Sequence, residues 1–598
     1  MPKSKRYGTD LPVIGIRIIV DGRQNGVRRR LEQPTALMAE NVKKLIESNL
    51  RYPDGQPVEC LIGSCSVGGV KEAALVADEF RAANVGAIIS VSRAFAYSTE
   101  IMEMSPAVPQ AIWGFNGSER PGAVFLAAAA SASNQMQIPL FKIYGHDVQS
   151  ADESSIPEDV AEKILWFARC ALAAAYMRGK SYLSVGGVCM GIGASVVDPN
   201  FFRCYLGMRN EYVDMSEVAR RMELGIYDKE EYERALAWAR KNCPVMADPN
   251  EPDWQRTAEQ KEEDWKNSVK IALIVRDLMI GNEVLKDMGY SEESFGHYAI
   301  AAGFQGQRNW SDFRTTADFA ESILNTSFDW NGIREPLILS TENDSLNAVC
   351  MMMGHLLTGE AQVFADVRTY WSSKAMEQLG CGEIPEKAKD GFIYLTNSGA
   401  AALDGCLAMD SEKGPCMKPF WEIGEEEVEK CLKSTAWGPD KTTTFRGGGY
   451  SASFMSRGGA PLTMVRLNLI RGVGPSLQVI EGQSVELPDE LRNKIIKRTD
   501  PTWPKTFFVP RLTETGVTDS VYGVMNAWGA NHCSLCYGHV GRYFLTLASI
   551  LRIPVSMHNI ADDRIFRPSA WDLFGDAGDI GTDYRACQAL SAIYGKYQ

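Results

Sequence analysis

The sequence contains no hydrophobic stretch that approaches the roughly 20 residues a membrane-spanning helix needs. The apolar run Val13–Val20 is interrupted by Gly15 and Arg17, so it predicts a first strand and not a signal peptide. The sequence also has fewer basic than acidic residues: 62 Lys and Arg and 75 Asp and Glu give a net charge of −13. Such an acidic balance argues against nucleic acid or an anionic membrane as partner. We expect a cytoplasmic protein that handles a small molecule.

Motifs that bind nucleotides or activate a serine are missing. Gly186–Gly193 follows a predicted strand, but Val196 stands at the position of the third glycine in G-x-G-x-x-G, and no P-loop occurs. We interpret this segment as a turn with close backbone approach. Phe445–Tyr450 is interpreted as a barrel corner, although Arg446 leaves an anion site open. No G-x-S-x-G elbow is present, so serine hydrolase chemistry has no support.

The cysteines form no disulfide framework. Fourteen of them are scattered over 598 residues, a pattern typical of reduced, buried thiols. The length predicts several domains, and the 45% hydrophobic content is enough to give each a core. Internal repeats and low-complexity linkers are absent, so we expect the domains to pack closely.

Strands alternate with helices in the first third of the chain, which predicts a parallel, doubly wound α/β sheet. The predicted strands are Val13–Val20, Val58–Ile62, Ala87–Val91 and Leu140–Tyr144. A long helix over Pro157–Arg178, capped by Gly179, marks a domain boundary. The last third is richer in strands, which predicts an α+β domain that can include a barrel. The predicted strands there are Phe392–Leu395, Thr463–Ile470, Leu477–Ile480 and Val555–His558.

Two carboxylates follow predicted strands. Glu342 comes after the short apolar run Leu337–Leu339, and Asp366 closes the run Val363–Ala365. The helix predicted between them suggests a β-α-β unit, which would bring both acids to the same edge of one sheet. Two carboxylates at one edge repel each other, and a bound cation would relieve that repulsion.

The residues alone leave a structural alternative open, in which these acids cap helices or pair with Arg334 and Arg368. Asp344 and Ser345 are the candidate N-caps of the intervening helix.

Six histidines supply the candidates for a third ligand. His532 lies in the segment Asn526–His539, which also holds Cys533 and Cys536. The pattern His-Cys-x-x-Cys-x-x-His suggests zinc, but His532 and Cys533 are adjacent and therefore badly placed for joint chelation. A single histidine is most often a core or surface residue. His532 is therefore a candidate metal ligand only in combination with Glu342 and Asp366.

Several long segments, in the same order, make the sequence resemble the L-fucose isomerase family over essentially its whole length. The matching segments are Ala111–Val124, Ile143–Gln149, Ala301–Arg308, Phe328–Pro336, Thr341–Asn347, Gln362–Ser372, Phe445–Tyr450, Trp528–His532 and Arg552–Asn559. The resemblance implies an N-terminal Rossmann-like doubly wound domain over residues 1–176 that contributes to the substrate pocket. It implies a second α/β domain over 177–357 with the catalytic Glu, and a C-terminal domain with a β-barrel over 358–598 with the metal-binding Asp and His. It also implies a homo-oligomer, a hexamer, in which the first domain completes a neighbour's pocket.

The resemblance also implies which residues bind a metal ion and which transfer protons. Family members hold Mn²⁺ with a Glu, an Asp and a His, which correspond here to Glu342, Asp366 and His532; Mg²⁺ and Co²⁺ are the alternative ions. The same two acids would transfer protons. The implied substrate-binding residues are Arg17, Phe95, Gln305 and Ser398.

The expected reaction is that of an aldose–ketose isomerase. It would interconvert L-fucose and L-fuculose, or D-arabinose and D-ribulose, through a cis-enediol. Phe95 replaces a family tryptophan, Thr444 replaces a family tyrosine, and Arg93 stands near Phe95 as a possible added donor to the sugar. These departures leave the preferred sugar open. The alternatives are a catalytically altered sugar-binding relative of the same fold, and a zinc hydrolase built on His532, Cys536 and His539.

Overall fold

Alternating β-rich runs and amphipathic helices build a parallel sheet in the first part of the chain. The computed structural model describes residues 11–380, 383–397, 399–499 and 502–597. The first sheet has five parallel strands, in the order Cys60–Ile62, Val13–Ile19, Val85–Ser92, Gln110–Gly114 and Leu140–Ile143. The helices of this part are Val27–Asn49, Val70–Ala82, Ser98–Ile101, Gly122–Gln135 and Glu158–Met177.

Both faces of this sheet are covered by helices. Successive side chains of a strand point to opposite faces. Ile89 accordingly packs in one apolar cluster with Phe167, whereas Ile88 packs in another with Phe80 and Leu126. The predicted doubly wound arrangement is confirmed.

A second parallel sheet follows after Gly179, whose left-handed φ of 80° lies just past the end of helix Glu158–Met177. Its strand order is Ile338–Ser340, Ala299–Phe304, Ser181–Val185 and Arg209–Val213. A small hairpin pairs Phe328–Asp329 with Gly332–Ile333. The helices of this part are Pro199–Phe201, Met215–Leu224, Lys229–Asn242, Ala258–Ile280, Glu283–Asp287, Asp318–Asn325 and Ser345–Thr358.

The last part is built around a closed antiparallel barrel of six strands. Their order is Pro461–Ile470, His532–Tyr537, Val363–Trp371, Phe392–Thr396, Lys505–Pro510 and Gly474–Ser484, with the last strand pairing back to the first. Strand Val555–His558 adds in parallel to Gly474–Ser484. Two hairpins pair Met409–Ser411 with Gly414–Cys416, and Ala436–Pro439 with Tyr450–Ser453. The helices are Ser373–Glu377, Glu425–Ser434, Asp489–Ile496, Val521–Ala527, Gly541–Leu551 and Ile580–Leu590.

The β-α-β interpretation of the two acids is wrong. Asp366 does not close a strand, because strand Val363–Trp371 continues past it. That strand belongs to the barrel, whereas Ile338–Ser340 belongs to the second parallel sheet. Helix Ser345–Thr358 therefore crosses from one sheet to the other. The acids approach each other from two sheets and not along one sheet edge.

The segment Phe445–Tyr450 is also not a barrel corner, since it leads into the hairpin strand Tyr450–Ser453 outside the barrel. Within the described parts of the chain, no helix combines the length and apolar character required to cross a membrane.

Candidate active site

Glu342 lies in a tight turn at the carboxyl end of strand Ile338–Ser340. Its φ is 59° and that of Asn343 is 49°, so two consecutive side-chain-bearing residues adopt the left-handed conformation. That conformation costs free energy and persists only where neighbours fix it. The Tyr182 hydroxyl donates to Asn343 Oδ1 at 2.9 Å, and the Ser195 hydroxyl donates to the Glu342 carbonyl at 3.1 Å. These contacts hold the Glu342 backbone in place.

His532 is the point at which the candidate ligands meet. Its Nε2 lies 3.3 Å from Oε2 of Glu342 and 3.5 Å from Oδ1 of Asp366. Only 1% of the His532 side chain is exposed, whereas Glu342 and Asp366 keep 11% and 20%. The acids thus stay accessible to a small ligand while the imidazole is enclosed by protein.

The other imidazole nitrogen contacts a third carboxylate. His532 Nδ1 lies 2.7 Å from Oδ2 of Asp344, and Arg466 Nη1 lies 2.7 Å from the same oxygen. Asp344 Oδ1 accepts from the Asn347 backbone N–H at 3.0 Å and caps helix Ser345–Thr358. Of the two predicted N-caps, Asp344 is the one found.

The electrostatics follow from this crowding of acids. Burial lowers the pKa of His532, but hydrogen bonds to Asp344 and Glu342 outweigh burial and raise the pKa to about 9. Burial raises the pKa of Asp366, against the nearby charges of His532 and Arg368. Burial also acts to raise the pKa of Asp344, but Arg466 and His532 keep that pKa well below its usual range. The acids around His532 thus favour the positively charged form of its imidazole.

Two further side chains orient the acids. Gln307 Nε2 donates to Oε1 of Glu342 at 3.3 Å, and Arg368 Nη2 lies 2.9 Å from Oδ2 of Asp366. Arg334 pairs with Asp329 and not with Glu342. The structural alternative drawn from the sequence therefore holds for the Asp366–Arg368 pair but not for Arg334.

A cleft opens beside Glu342, and part of its wall is acidic. Burial, reinforced by the charge of Glu342, raises the pKa of Glu321 to about 8 against the hydrogen bond from Thr341. Both effects favour the protonated form of Glu321, which limits the negative charge around Glu342. The lining residues are Gly306, Gln307, Ser311, Thr316, Ala317, Asp318, Glu321, Thr341, Glu342 and Phe445.

The substrate-binding residues suggested by the resemblance lie in different places. Arg17 is buried in the first sheet, and its Nη2 donates to the Ile101 carbonyl at 2.7 Å. Gln305 comes directly before Gly306, a residue that lines the cleft. Its Oε1 accepts from the Gly187 backbone N–H at 2.7 Å. Phe95 is half-buried on the first domain. Ser398 lies outside the described residues. Substrate binding by these four residues stays a prediction.

Arg93 is not arranged as a donor to a sugar. Only 1% of the residue is exposed, and its two Nη atoms donate to the carbonyls of Glu153 and Ala151, each at 2.7 Å. Its guanidinium also lies 3.8 Å above the ring of Phe115. Arg93 therefore ties the segment around residue 152 to the first sheet.

The zinc alternative has little geometric support. His532 and Cys533 point to opposite faces of strand His532–Tyr537, as alternation requires. His539 Nε2 lies 2.9 Å from the Gly482 carbonyl. Over residues 11–380, 383–397, 399–499 and 502–597, no three His, Cys, Asp or Glu side chains form a complete metal-binding group as they stand. The distances around His532 thus gather three candidate donors and do not by themselves establish an ion.

Sequence reasoning missed four residues of this cluster: Gln307, Asp344 in its contact with His532, Arg466 and Asn531. Asn531 Nδ2 lies 2.9 Å from His532 Nε2. Gln307 lies in a segment that carried the family resemblance, so that segment could have suggested it. Arg466 lies in an ordinary strand, Pro461–Ile470, and no sequence signal pointed to it.

Comparison with known proteins gives matches along almost the whole chain. Residues 11–179 match the model of the L-fucose isomerase first N-terminal domain, 180–359 that of the second N-terminal domain, and 395–558 that of the C-terminal domain. The three-domain organisation is thereby confirmed, while the predicted boundaries themselves stay predictions.

Curated relatives give the same result. The chain is 54% identical over 587 residues to the L-fucose isomerase of Phocaeicola vulgatus, covering 98% of this chain and 99% of the relative. It is 53% identical over 582 residues to that of Haemophilus influenzae, covering 97% and 98%. It is 52% identical over 583 residues to that of Streptococcus pneumoniae, covering 98% and 99%. The protein is an enzyme of the isomerase class, and the chain belongs to the L-fucose isomerase family.

Proposed function

We propose that the protein is a metal-dependent aldose–ketose isomerase that interconverts L-fucose and L-fuculose through a cis-enediol. D-Arabinose and D-ribulose are the second proposed pair. The observation that carries the proposal is the convergence of Glu342 and Asp366 on one imidazole nitrogen, at 3.3 and 3.5 Å, beside an open cleft. The names of the relatives supply the sugar.

Two donor–donor distances at His532 support a divalent cation between these side chains. Carboxylate oxygen and imidazole nitrogen bind such ions at about 2.0–2.2 Å, which separates neighbouring donor atoms by roughly 3.0–3.6 Å. The two distances to His532 Nε2 fall in that range. A donor set of carboxylates and one imidazole suits Mn²⁺, with Mg²⁺ and Co²⁺ as alternatives. Glu342, Asp366 and His532 would hold the ion.

Isomerisation moves one proton from C2 to C1 of the sugar and one from O2 to O1. Glu342 and Asp366 would accept the C2 proton and return one at C1. Burial raises the pKa of Asp366 above its ordinary value, which makes this carboxyl a better proton acceptor than an exposed aspartate. A bound cation would supply Lewis-acid stabilisation of the negative charge that develops on O1 and O2.

The alternative from a different class is a sugar-binding protein that has lost turnover. The convergence of Glu342 and Asp366 on His532 disfavours it, since a pure binding protein has no use for a proton-transferring pair. An assay of ketose formation over a panel of aldoses, each with Mn²⁺, Mg²⁺ and Co²⁺, separates the two. The proposal predicts ketose from L-fucose with Mn²⁺. Sugar binding without ketose formation under every ion would support the alternative.

A further inference from the structure

Asp344 and Arg466 form a buried ion pair behind His532. Oδ2 of Asp344 lies 2.7 Å from both Arg466 Nη1 and His532 Nδ1. The exposed side-chain fractions are 0% for Asp344, 1% for His532 and 3% for Arg466. Asp344 thus contacts the imidazole on the nitrogen opposite to the one that faces Glu342 and Asp366, and Arg466 contacts Asp344.

The carboxylate of Asp344 is fixed at both oxygens. Oδ1 accepts from the Asn347 backbone N–H at 3.0 Å, while Oδ2 is held between His532 and Arg466. Asn347 in turn donates its side-chain N–H to the Cys533 carbonyl at 3.1 Å, next to His532. Asp344 and Asn347 lie in the first turn of helix Ser345–Thr358, whereas His532 and Arg466 lie on barrel strands. The pair therefore fastens the turn that carries Glu342 to the strand that carries His532.

We propose that Asp344 and Arg466 are positioning residues for His532. A hydrogen bond at one imidazole nitrogen decides which nitrogen is left to bind a ligand, and it fixes the orientation of the ring. Asp344 holds the proton on Nδ1 and directs the Nε2 lone pair toward Glu342 and Asp366. Arg466 balances the buried charge of Asp344 and keeps its carboxylate in place. This inference rests on the proposed function, because it assigns His532 Nε2 as a ligand.

A purely structural role makes a different prediction. If Asp344 and Arg466 only stabilise the junction between helix and barrel, their loss lowers stability and leaves the affinity for a cation unchanged. The test must therefore separate affinity from stability. Asp344→Asn is well suited, because Asn caps helices as well as Asp does and nearly matches it in shape. It removes the negative charge but keeps the cap.

The matched control is Glu231→Gln. Glu231 also forms a buried pair with an arginine, since its Oε2 lies 2.7 Å from Arg276 Nη2. Its other hydrogen-bond partners are Trp330 and Asn331, which are not candidate ligands. The measurements are the Mn²⁺ dissociation constant, from the electron paramagnetic resonance signal of free Mn²⁺, and thermal unfolding of the metal-free proteins. The full-length chain is used throughout.

We expect Asp344→Asn to weaken Mn²⁺ binding about 10–100-fold, as is typical for partners of a metal-binding histidine. Glu231→Gln should lower the unfolding temperature and leave the Mn²⁺ dissociation constant within about twofold of wild type. In a His532→Ala background, adding Asp344→Asn should not weaken Mn²⁺ binding further. Unchanged affinity in Asp344→Asn, or an equal loss in both backgrounds, would overturn the inference.

Two results keep this inference separate from the proposed function. If wild type binds no Mn²⁺, the proposed function fails first. If Asp344→Asn does not fold, anomalous diffraction from wild-type crystals soaked in MnCl₂ decides. The inference predicts the ion on the Nε2 side of His532, with Asp344 on Nδ1. An ion bound directly by Asp344, or on the Nδ1 side, would overturn it.

Discussion

Asp366 and His532 stand directly opposite each other on neighbouring antiparallel strands of the barrel. Directly opposed residues have their Cβ atoms about 4.5–5.5 Å apart, on the same face of the sheet. The pairing of Val363–Trp371 with His532–Tyr537 therefore fixes the relation of these two residues. Glu342 joins them from a separate sheet, through a turn in the left-handed conformation. Barrel register and turn geometry together define the candidate site.

Replacing either acid should remove most of the activity. We expect Glu342→Gln and Asp366→Asn each to lower kcat by at least the roughly 10²–10⁴-fold typical of general acid–base groups. Each change should also weaken Mn²⁺ binding, because each side chain is a proposed ligand. Steady-state kinetics at saturating Mn²⁺ check the first point. A near wild-type rate in either variant would show that the assignment of that residue is wrong.

Metal removal should abolish turnover reversibly. Since the proposed ligands are carboxylates and an imidazole, we expect EDTA to inactivate the enzyme and Mn²⁺ to restore more activity than Mg²⁺ or Co²⁺. The measurement is ketose formation before chelation, after chelation and after each ion is returned. Full activity of thoroughly demetallated protein contradicts the metal-dependent reaction.

The pair of Glu231 and Arg276 predicts a specific acid lability. Burial acts to raise the pKa of Glu231, but Arg276 outweighs it and lowers the pKa from 4.5 to about 2. Because the folded-state pKa is depressed, the pair stabilises the protein above the unfolded-state value, and this stability is lost as the pH falls from about 4.5 toward 2. The shift corresponds to ~3 kcal/mol.

The comparison is urea unfolding of wild type and Glu231→Gln at pH 7 and pH 3. Wild type should be the more stable at pH 7, and the difference should shrink at pH 3. A difference that stays constant with pH would mean that the charge of Glu231 is not the cause.

Assembly should be required for activity. The family resemblance implies a homohexamer in which the first domain, with Arg17 and Phe95, completes a neighbour's pocket. We expect a hexamer by light scattering, and loss of activity on dilution to monomers. Adding back concentrated protein should restore activity. A fully active monomer at assay concentration would exclude a shared pocket.

Phe95 should tune the choice of sugar without controlling turnover. Phe is smaller than Trp and has no indole N–H, so a pocket wall formed by Phe95 would be wider and less polar. We expect Phe95→Trp to raise kcat/KM for L-fucose relative to D-arabinose, because the larger ring covers the additional methyl group. A misfit of one methylene is worth about 1–3 kcal/mol, so the ratio should change by about tenfold or more. Because Arg93 is engaged with backbone carbonyls, its contribution should be small. An identical ratio in both proteins would rule out Phe95 as a specificity residue.

Local periodicity predicted much of the secondary structure. Strand Val555–His558 was predicted with its observed bounds, and helix Glu158–Met177 to within one residue at each end. Strand Gln110–Gly114 was missed, because its sequence lacks a β-branched run. Helix Val27–Asn49 contains Pro34, a residue that local propensity disfavours inside a helix. Its first turn is held by an ion pair of Arg28 with Glu72 at 2.9 Å, a contact that no local pattern reveals.

The candidate site also has residues that the local sequence predicted and contacts that it did not. The positions of Glu342 and Asp366 after apolar runs suggested them as site residues. The β-α-β argument wrongly placed both on one sheet. No local pattern in the sequence indicated that Val363–Trp371 pairs with His532–Tyr537. The contact of Asp344 with His532 joins residues 188 positions apart. Such pairings depend on barrel closure, which is a property of the whole domain. His532 was identified only through the family resemblance.

Proton transfer from L-fucose in D₂O tests the central claim most directly. Wild type with Mn²⁺ is incubated with L-fucose, the ion is removed by chelation, and the products are identified by NMR. The proposed cis-enediol reaction at Glu342 and Asp366 predicts L-fuculose that carries solvent deuterium at C1, and no such product from Glu342→Gln. Absence of ketose from wild type, or ketose formed without any solvent deuterium, would contradict the account.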